Sequence, residues 1–415
     1  MSEKVRYYLE QSIPELEDLQ RKGLFEKKEI TMIMRRRTDF EHRVTGRGTK
    51  QADFLNYVEF EKNTEKLRKK RYTRLAKANL IDTKPSISDW ASQRRILFVF
   101  DRAIRRFPGD NKLWLAYLKY AKANGSVKVI YKIYTKLLQL QPRNVDAWIS
   151  AAKYEFEQNT NAKGARVLLQ KGLRFNSDSQ KLWLNYAKFE LVYVTKLLAR
   201  RKLLSLMTEQ QQREDAKTEQ EATKGDLNDD EIMLPDFEVK DSLNSLPEVD
   251  MNMLGNPETN PALRGEIALT IFDIAMKTLV DQVPKDATIV TRESKTLEVA
   301  NDFLTLFDQF ESLDRHNLCG HVIRYLSSEL SSNGKVILLE ITLPMRYVTI
   351  TDSAFVDKLQ QSVNLLLKYK PRWGRNLQDE VTEGFVAYIQ RFTQDTNSER
   401  LQKLLQTIVT RCRQA

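Results

Sequence analysis

Aromatic and apolar residues recur along the first half of the chain with a period of 34 to 35 residues. The repeated pattern begins at Trp114, Trp148 and Trp183, and a related copy begins at Phe54, where phenylalanine replaces tryptophan. Within each copy, apolar or aromatic residues occupy positions i, i+3 and i+6, which lie on one face of a helix. Each copy therefore predicts an amphipathic helix whose aromatic face is buried.

A second helical segment lies between successive copies, for example at residues 100–107 and 165–173. Pro108 and Pro142 each precede a tryptophan by six residues, where a proline ends one helix before the next begins. The repeating unit is thus a helical hairpin of about 34 residues. Because one hairpin cannot bury its apolar face alone, we expect an all-α fold, an α-solenoid of stacked helical hairpins. The aromatic residues expected to serve this packing are Phe54, Tyr57, Trp114, Tyr117, Trp148, Trp183 and Tyr186.

Charged residues make the repeat pattern more specific. The first helices read Trp-x-x-Tyr/Ala-x-x-aromatic-Glu, and residues 100–108 read aromatic-Asp-Arg-Ala-Ile, ending in proline. This pattern resembles the half-a-tetratricopeptide (HAT) repeat, which is found almost entirely in proteins of RNA processing. The resemblance implies that the glutamate meets an arginine of the second helix, so that Glu155 pairs with Arg166. Glu61 and Glu190 stand in the same position as Glu155.

The second repeat departs from this pattern, with Ala121 where glutamate is expected and Tyr131 in the arginine position. The first repeat is longer than the others by about 26 residues, which predicts a basic helical insertion at about 62–88 within a repeat segment of 51–202. Such a helix could lie along RNA phosphates, extend into solvent, or dock on an acidic protein surface. The candidate contacts for RNA or a partner are Arg35, Arg36, Arg37, Lys66, Arg68, Lys69, Lys70, Arg71 and Arg74, with Leu67, Leu75 and Leu80 as apolar contacts.

Composition predicts two further segments. From Leu203 to Ala262 there are 15 acidic and 4 basic residues together with several prolines, so we expect an acidic flexible linker at 203–261. From 262 to 415 the helical periodicity returns, which predicts further hairpins. The expected helices are 262–283, 293–313, 317–331, 335–347, 352–369, 376–392 and 398–413.

Net charge points to a polyanionic partner. The chain carries a formal charge of +11 and a sequence pI near 9.3, although the linker is strongly acidic. A basic body of this kind is typical of proteins that bind nucleic acid, although a solvated basic surface without a specific ligand is an equal alternative. The most apolar stretch, 336–350, is interrupted by charges and a proline, so no membrane association is expected.

A search for catalytic chemistry finds no organised site. The sequence has three histidines and two cysteines, and it lacks a phosphate-binding glycine loop, a nucleophile elbow and an HExxH motif. His316, Cys319 and His321 lie close together, but their spacing matches no closed zinc site. We therefore expect no enzyme activity, no metal and no cofactor, and the two cysteines fit a reducing compartment.

The first fifty residues form short helices with apolar faces and carry a specific resemblance. Residues 13–25, IPELEDLQRKGLF, and residues 36–43, RRTDFEHR, resemble the N-terminal module of the U3 small nucleolar RNA-associated protein 6 family, which precedes its HAT repeats. The resemblance implies a non-catalytic scaffold of a nucleolar ribonucleoprotein, the small-subunit processome, required for pre-rRNA processing and small ribosomal subunit biogenesis.

The same resemblance implies particular partners. These are the WD-repeat (β-propeller) subunits of the UTP-B subcomplex, and U3 snoRNA with the 5′ external transcribed spacer of pre-rRNA, either directly or through proteins. Two alternatives remain open from the repeats themselves: a HAT scaffold of an mRNA-processing complex, and a peptide-binding adaptor of the tetratricopeptide type.

Overall fold

A computed structural model describes residues 2–80, 84–203, 260–282, 289–349, 352, 354–370, 374–394 and 399–414. All regular structure in these residues is helical, so the predicted all-α class of stacked hairpins is confirmed. The chain divides into two compact units, Met1–Ala147 and Trp148–Ala415, and the boundary lies within α8 (Val145–Glu157). None of the described helices combines the length and apolar composition needed to cross a bilayer.

The first unit is a succession of antiparallel helices joined by short turns. Gly23 follows the end of α2 (Ile13–Arg21) with a φ of +67°, a conformation that favours glycine because it has no Cβ. Asp110 caps α6 (Asn111–Ala123) by accepting a hydrogen bond from the Lys112 amide at 2.9 Å. The helices are α1 (Ser2–Glu10), α2 (Ile13–Arg21), α3 (Lys27–Thr45), α4 (Gln51–Lys77), α5 (Ile87–Arg106), α6 (Asn111–Ala123) and α7 (Val127–Leu140).

The predicted basic insertion is not a separate spur but the second half of α4. Its inner face packs Tyr72 and Leu75 against a core of buried leucine, isoleucine and phenylalanine side chains from α2, α3 and the turn between them. Leu67 and Leu80, expected to make similar contacts, are instead 42% and 74% exposed. Of the three leucines predicted as apolar contacts, Leu75 packs on the core beside Tyr72, and the prediction is wrong for Leu67 and Leu80.

The second unit continues the hairpins beyond the repeats recognised in the sequence. Helix α10 (Gln180–Leu203) contacts α11 (Glu266–Asp281) and α12 (Ile289–Asp308), so helices on both sides of residues 204–259 pack directly on each other. Apart from its ends, the predicted linker lies outside the described residues. The helices are α9 (Ala162–Phe175), α10 (Gln180–Leu203), α11 (Glu266–Asp281), α12 (Ile289–Asp308), α13 (Arg315–Glu329), α14 (Gly334–Thr342), α15 (Phe355–Tyr369), α16 (Arg375–Gln394) and α17 (Glu399–Gln414).

Candidate nucleic-acid interface

The repeat tryptophans are part of the protein interior. Trp114 is 1% exposed, and its indole Nε1 donates a hydrogen bond to the carbonyl oxygen of Pro108 at 2.9 Å. Trp183 makes the equivalent bond to the carbonyl of Ser177 at 3.0 Å. In both cases the acceptor precedes the tryptophan by six residues, so each ring packs in the core and fixes the turn before its own helix.

The other signature aromatics are used in the same way. Phe100 and Tyr117 stack with ring centroids 5.0 Å apart, and Phe40 and Tyr57 stack at 5.2 Å. A Cβ at Gly172 would lie 3.1 Å from the Trp148 ring, so a larger residue there would fit only if the ring moved by a few tenths of an ångström. The remaining predicted packing residues are also buried, namely Phe54, Trp148, Trp183 and Tyr186.

A buried ion-pair network joins four helices of the first unit. The Arg37 guanidinium donates to both carboxylate oxygens of Glu61, at 2.7 and 3.0 Å, and lies 3.6 Å from Glu15. Arg95 forms ion pairs with Glu15 and Glu61. Burial of Glu61 by itself raises its pKa, but the charges of Arg37 and Arg95 outweigh burial and hold this pKa below its usual value.

The predicted pair between Glu155 and Arg166 is wrong. Arg166 donates to Glu190 of the next hairpin, at 2.6 and 2.7 Å, because the two residues lie at the same level of the antiparallel α9–α10 pair. Arg166 lies nine residues before the end of α9 and Glu190 ten residues after the start of α10. Glu155 accepts hydrogen bonds from Asn159 and Asn161 in the turn that follows α8, at 3.3 and 3.4 Å.

The correct pairing follows a step of 24 residues, from Arg37 to Glu61 and from Arg166 to Glu190. The same step leads from Leu97 to Ala121, so the repeat that lacks the glutamate also lacks the arginine. Ala121 is fully buried, and a lone carboxylate at such a position would be an uncompensated buried charge. The same step leads from Tyr131 to Glu155, so the next repeat keeps the glutamate without the arginine, and only the Leu97–Ala121 position lacks both partners.

Arg37 and Arg68, predicted to contact RNA or a partner, instead stabilise the first unit. Arg37 is 1% exposed within the network described above. Arg68 is 6% exposed and pairs with Glu65 at 2.8 Å and with Asp89 of α5 at 3.0 Å. Neither guanidinium can reach an external ligand, so the prediction is wrong for these two residues.

Arg71 also serves an internal contact. It donates to both oxygens of Glu29 at 2.7 Å and to the carbonyl of Leu24 at 2.9 Å, and it lies over the Phe25 ring. The hydrogen bonds that Glu29 accepts from Arg71 and from the Glu26 amide lower its pKa to about 2. The arginine connects α4 to the N-terminal helices, but 32% of its side chain is exposed, so an external contact at this residue stays a prediction.

The other candidate cations remain on the surface. Lys66, Lys70, Arg74 and Lys77 are exposed and follow one another at helical spacing along α4; we call them the α4 ridge. At 1.5 Å per residue, the ridge is about 16 Å long. Among the described residues, no carboxylate lies within ion-pair distance of these four side chains. Of the other candidates, Lys69 lies 3.6 Å from Glu65, and Arg35 and Arg36 are exposed on α3.

The histidine and cysteine cluster does not converge on one point. Cys319 is buried and accepts a hydrogen bond from the Tyr347 hydroxyl at 2.7 Å, whereas His321 lies 2.9 Å from Asp273. Burial raises the pKa of the Cys319 thiol to about 11, which keeps the thiol protonated. Within the described ranges, no group of three metal-ligating side chains is found.

Comparisons with known proteins agree with this geometry. Residues 9–95 match the family described as "U3 small nucleolar RNA-associated protein 6", and residues 78–215 match "PRP39 N-terminal HAT repeat". Over 245 residues the chain is 40% identical to U3 small nucleolar RNA-associated protein 6 of Schizosaccharomyces pombe, an alignment that covers 59% of this chain and 49% of that protein.

Two further relatives extend the comparison. The homolog in Mus musculus is 33% identical over 197 residues, covering 48% of this chain and 32% of that protein. The homolog in Dictyostelium discoideum is 27% identical over 280 residues, covering 68% and 43% respectively. The chain thus spans between about a third and a half of the length of these relatives.

Proposed function

Because the chain belongs to the U3 small nucleolar RNA-associated protein 6 family, we propose that it is a non-catalytic subunit of a U3-containing nucleolar ribonucleoprotein that serves ribosome biogenesis. In this proposal the helical hairpins act as a scaffold in the small-subunit processome. Its partners are the WD-repeat proteins of the UTP-B subcomplex, U3 snoRNA and the 5′ external transcribed spacer, and its assembly supports pre-rRNA processing.

The observation that carries the proposal is that some basic residues are buried in internal ion pairs, whereas others are exposed on the surface. The signature aromatics and several arginines are buried in packing and ion pairs, which leaves shape and surface charge as the means of action. The α4 ridge offers four exposed cations in a row without internal partners among the described residues. A line of such charges attracts phosphates without reading sequence, as expected of a scaffold that follows an RNA backbone.

A HAT scaffold of an mRNA-processing complex is the second candidate, favoured by the match of residues 78–215 to a PRP39 repeat. Purification of a tagged chain from nuclear extract, followed by sequencing of the bound RNA, separates the two. We expect enrichment of U3 snoRNA and of the 5′ external transcribed spacer over spliceosomal small nuclear RNAs. Enrichment of spliceosomal or messenger RNA in their place would contradict the proposal.

Neutralising the α4 ridge is expected to weaken RNA binding and its salt dependence together. For single-stranded RNA each neutralised phosphate contributes roughly 0.7 to the slope of log K against log salt, so losing three contacts lowers the slope by about 2. The variant carries Lys66→Gln, Lys70→Gln and Arg74→Gln. Fluorescence anisotropy with a labelled single-stranded fragment of U3 snoRNA, titrated at several salt concentrations, measures the slope.

A matched control removes the same charge elsewhere on the first unit, with Lys112→Gln, Lys128→Gln and Lys132→Gln at exposed positions of α6 and α7. This control should retain the slope of the unmodified protein. Equal slopes for the two triple variants would exclude the ridge as an RNA contact. Substitution is preferable to deletion of residues 62–77, which would also remove Tyr72 and Leu75 from the core.

A further inference from the structure

A cleft of about 500 Å³ opens on the first unit between α1 and α5, and no residue of the α4 ridge lines it. Its apolar lining comes from Tyr8 of α1 and from Trp90 and Phe98 of α5. Its volume lies in the range of pockets that bind small molecules or a few side chains of a peptide. We call it the α1–α5 cleft.

Large apolar side chains line this cleft but remain exposed. Ile87, Trp90 and Phe98 are 49%, 49% and 39% exposed, and their spacing places them along one side of α5. Covering an exposed indole or phenyl ring with a partner removes apolar surface from water, which favours binding. Tryptophan is also enriched among the residues that dominate binding energy. Among the exposed apolar residues of the first unit, these three share one helix face.

The rings of the cleft are held in place before any ligand arrives. Tyr8 and Phe98 lie 5.4 Å apart, and the guanidinium of Arg102 lies 4.5 Å from the centre of the Tyr8 ring and 5.5 Å from that of Phe98. Arg102 is itself fixed by its ion pair with Glu41 at 2.9 Å. A pocket that is already formed loses less entropy on binding.

The charges of the cleft are matched except for one. Glu15 and Glu41 line its wall, and both are neutralised by arginines, Glu15 by Arg95 and Glu41 by Arg102. Arg94 also lines the cleft and is exposed, and the described residues place no carboxylate within ion-pair distance of it. The unmatched charge is therefore a single cation, which an acidic group on the ligand would complement.

We propose that the α1–α5 cleft binds a short linear segment of a partner protein, which inserts an aromatic or large aliphatic side chain beside Tyr8, Trp90 and Phe98 and places an acidic side chain next to Arg94. A nucleic acid fits less well, because the cleft offers only one unmatched cation to a backbone that carries a charge on every phosphate. The inference rests on the proposed scaffold function and names the surface on which a protein partner docks.

Selection of random 16-residue peptides displayed on phage against the full chain tests the proposal. Counter-selection uses the double variant Trp90→Ala with Arg94→Glu. We expect the enriched peptides to share an aromatic or large aliphatic residue and an acidic residue. In anisotropy measurements, Trp90→Ala should raise the dissociation constant of the tightest-binding labelled peptide by about thirtyfold, the effect of losing a dominant interface residue.

Two control variants carry comparable changes outside the cleft: Leu115→Ala, at a side chain 65% exposed on α6, and Arg106→Glu, at an exposed arginine of α5. Both should bind the peptide as the unmodified chain does. Failure to enrich any peptide that discriminates against the double variant would overturn the proposal, and so would binding of a labelled uridine octanucleotide that Trp90→Ala abolishes. The peptide assay contains no RNA particle. A negative result in it therefore overturns the cleft proposal alone, whereas loss of U3 snoRNA from the purified chain would contradict the proposed function.

Discussion

Replacing Glu61 by alanine is expected to lower the free energy of unfolding of the first unit by about 3–5 kcal/mol, the cost of leaving buried charges without a partner. Glu61 is fully buried and holds both Arg37 and Arg95, so its removal leaves two guanidinium groups with only Glu15 between them. Arg37 already has one buried nitrogen, Nη1, without a hydrogen-bond partner.

Hydrogen exchange of peptides from α3 and α4 in graded urea measures this loss in the full chain. Glu59→Ala is the matched control, because it removes the same side chain from an exposed position on the same helix. The control should change stability by no more than about 0.5 kcal/mol. If Glu61→Ala proved as stable as Glu59→Ala, the network would not hold these helices together.

Replacing Trp114 by alanine should cost about 3–5 kcal/mol, the range measured for truncating a large buried aromatic residue. The ring is 1% exposed, and its Nε1 hydrogen bond to Pro108 would be lost together with its packing. We expect the turn between α5 and α6 and the amides of both helices to exchange faster.

The neighbouring Leu115 provides the control for this experiment. It is 65% exposed, so Leu115→Ala removes a similar apolar group from the same turn of α6 without opening a cavity. The two variants, compared by hydrogen exchange of peptides from α5 and α6, should differ by several kcal/mol. Equal protection in both would mean that the repeat tryptophans do not form the core.

The helical hairpins could be predicted from sequence because each turn of a packed helix must place an apolar residue on the buried face, which leaves a regular spacing in the sequence. Apolar spacing located α11 to α17 within a few residues, including α14, whose Val336 to Leu339 stretch has strand-like propensity. The window predicted at 335–347 ends as an α-helix at Thr342, because Pro344 converts the continuation to a 3₁₀ turn at Leu343–Met345.

The pairing of charges could not be predicted in the same way. Whether Arg166 meets Glu155 or Glu190 depends on the level at which antiparallel helices pack, which proximity in sequence does not reveal. The basic run of α4 contains two kinds of residue that look alike in the sequence. Arg68 and Arg71 face acidic groups of other helices, whereas Lys66 and Lys70 face solvent.

The α1–α5 cleft gave no sequence signal. Trp90 lies outside the repeat pattern, and Arg95 precedes the segment of α5 that carries the HAT motif. These residues line the cleft only because the N-terminal helices pack across α5. That contact joins segments about 80 residues apart in sequence. A single sequence carries no record of such contacts.

Ultraviolet cross-linking of the tagged chain to RNA in cells, with identification of both the cross-linked peptide and the attached RNA, tests the central claim most directly. The account predicts cross-links to peptides of the α4 ridge, between residues 63 and 77, that carry U3 snoRNA or pre-rRNA spacer sequence. Cross-links found only in other helices, or RNA from another machine attached to the ridge, would contradict it.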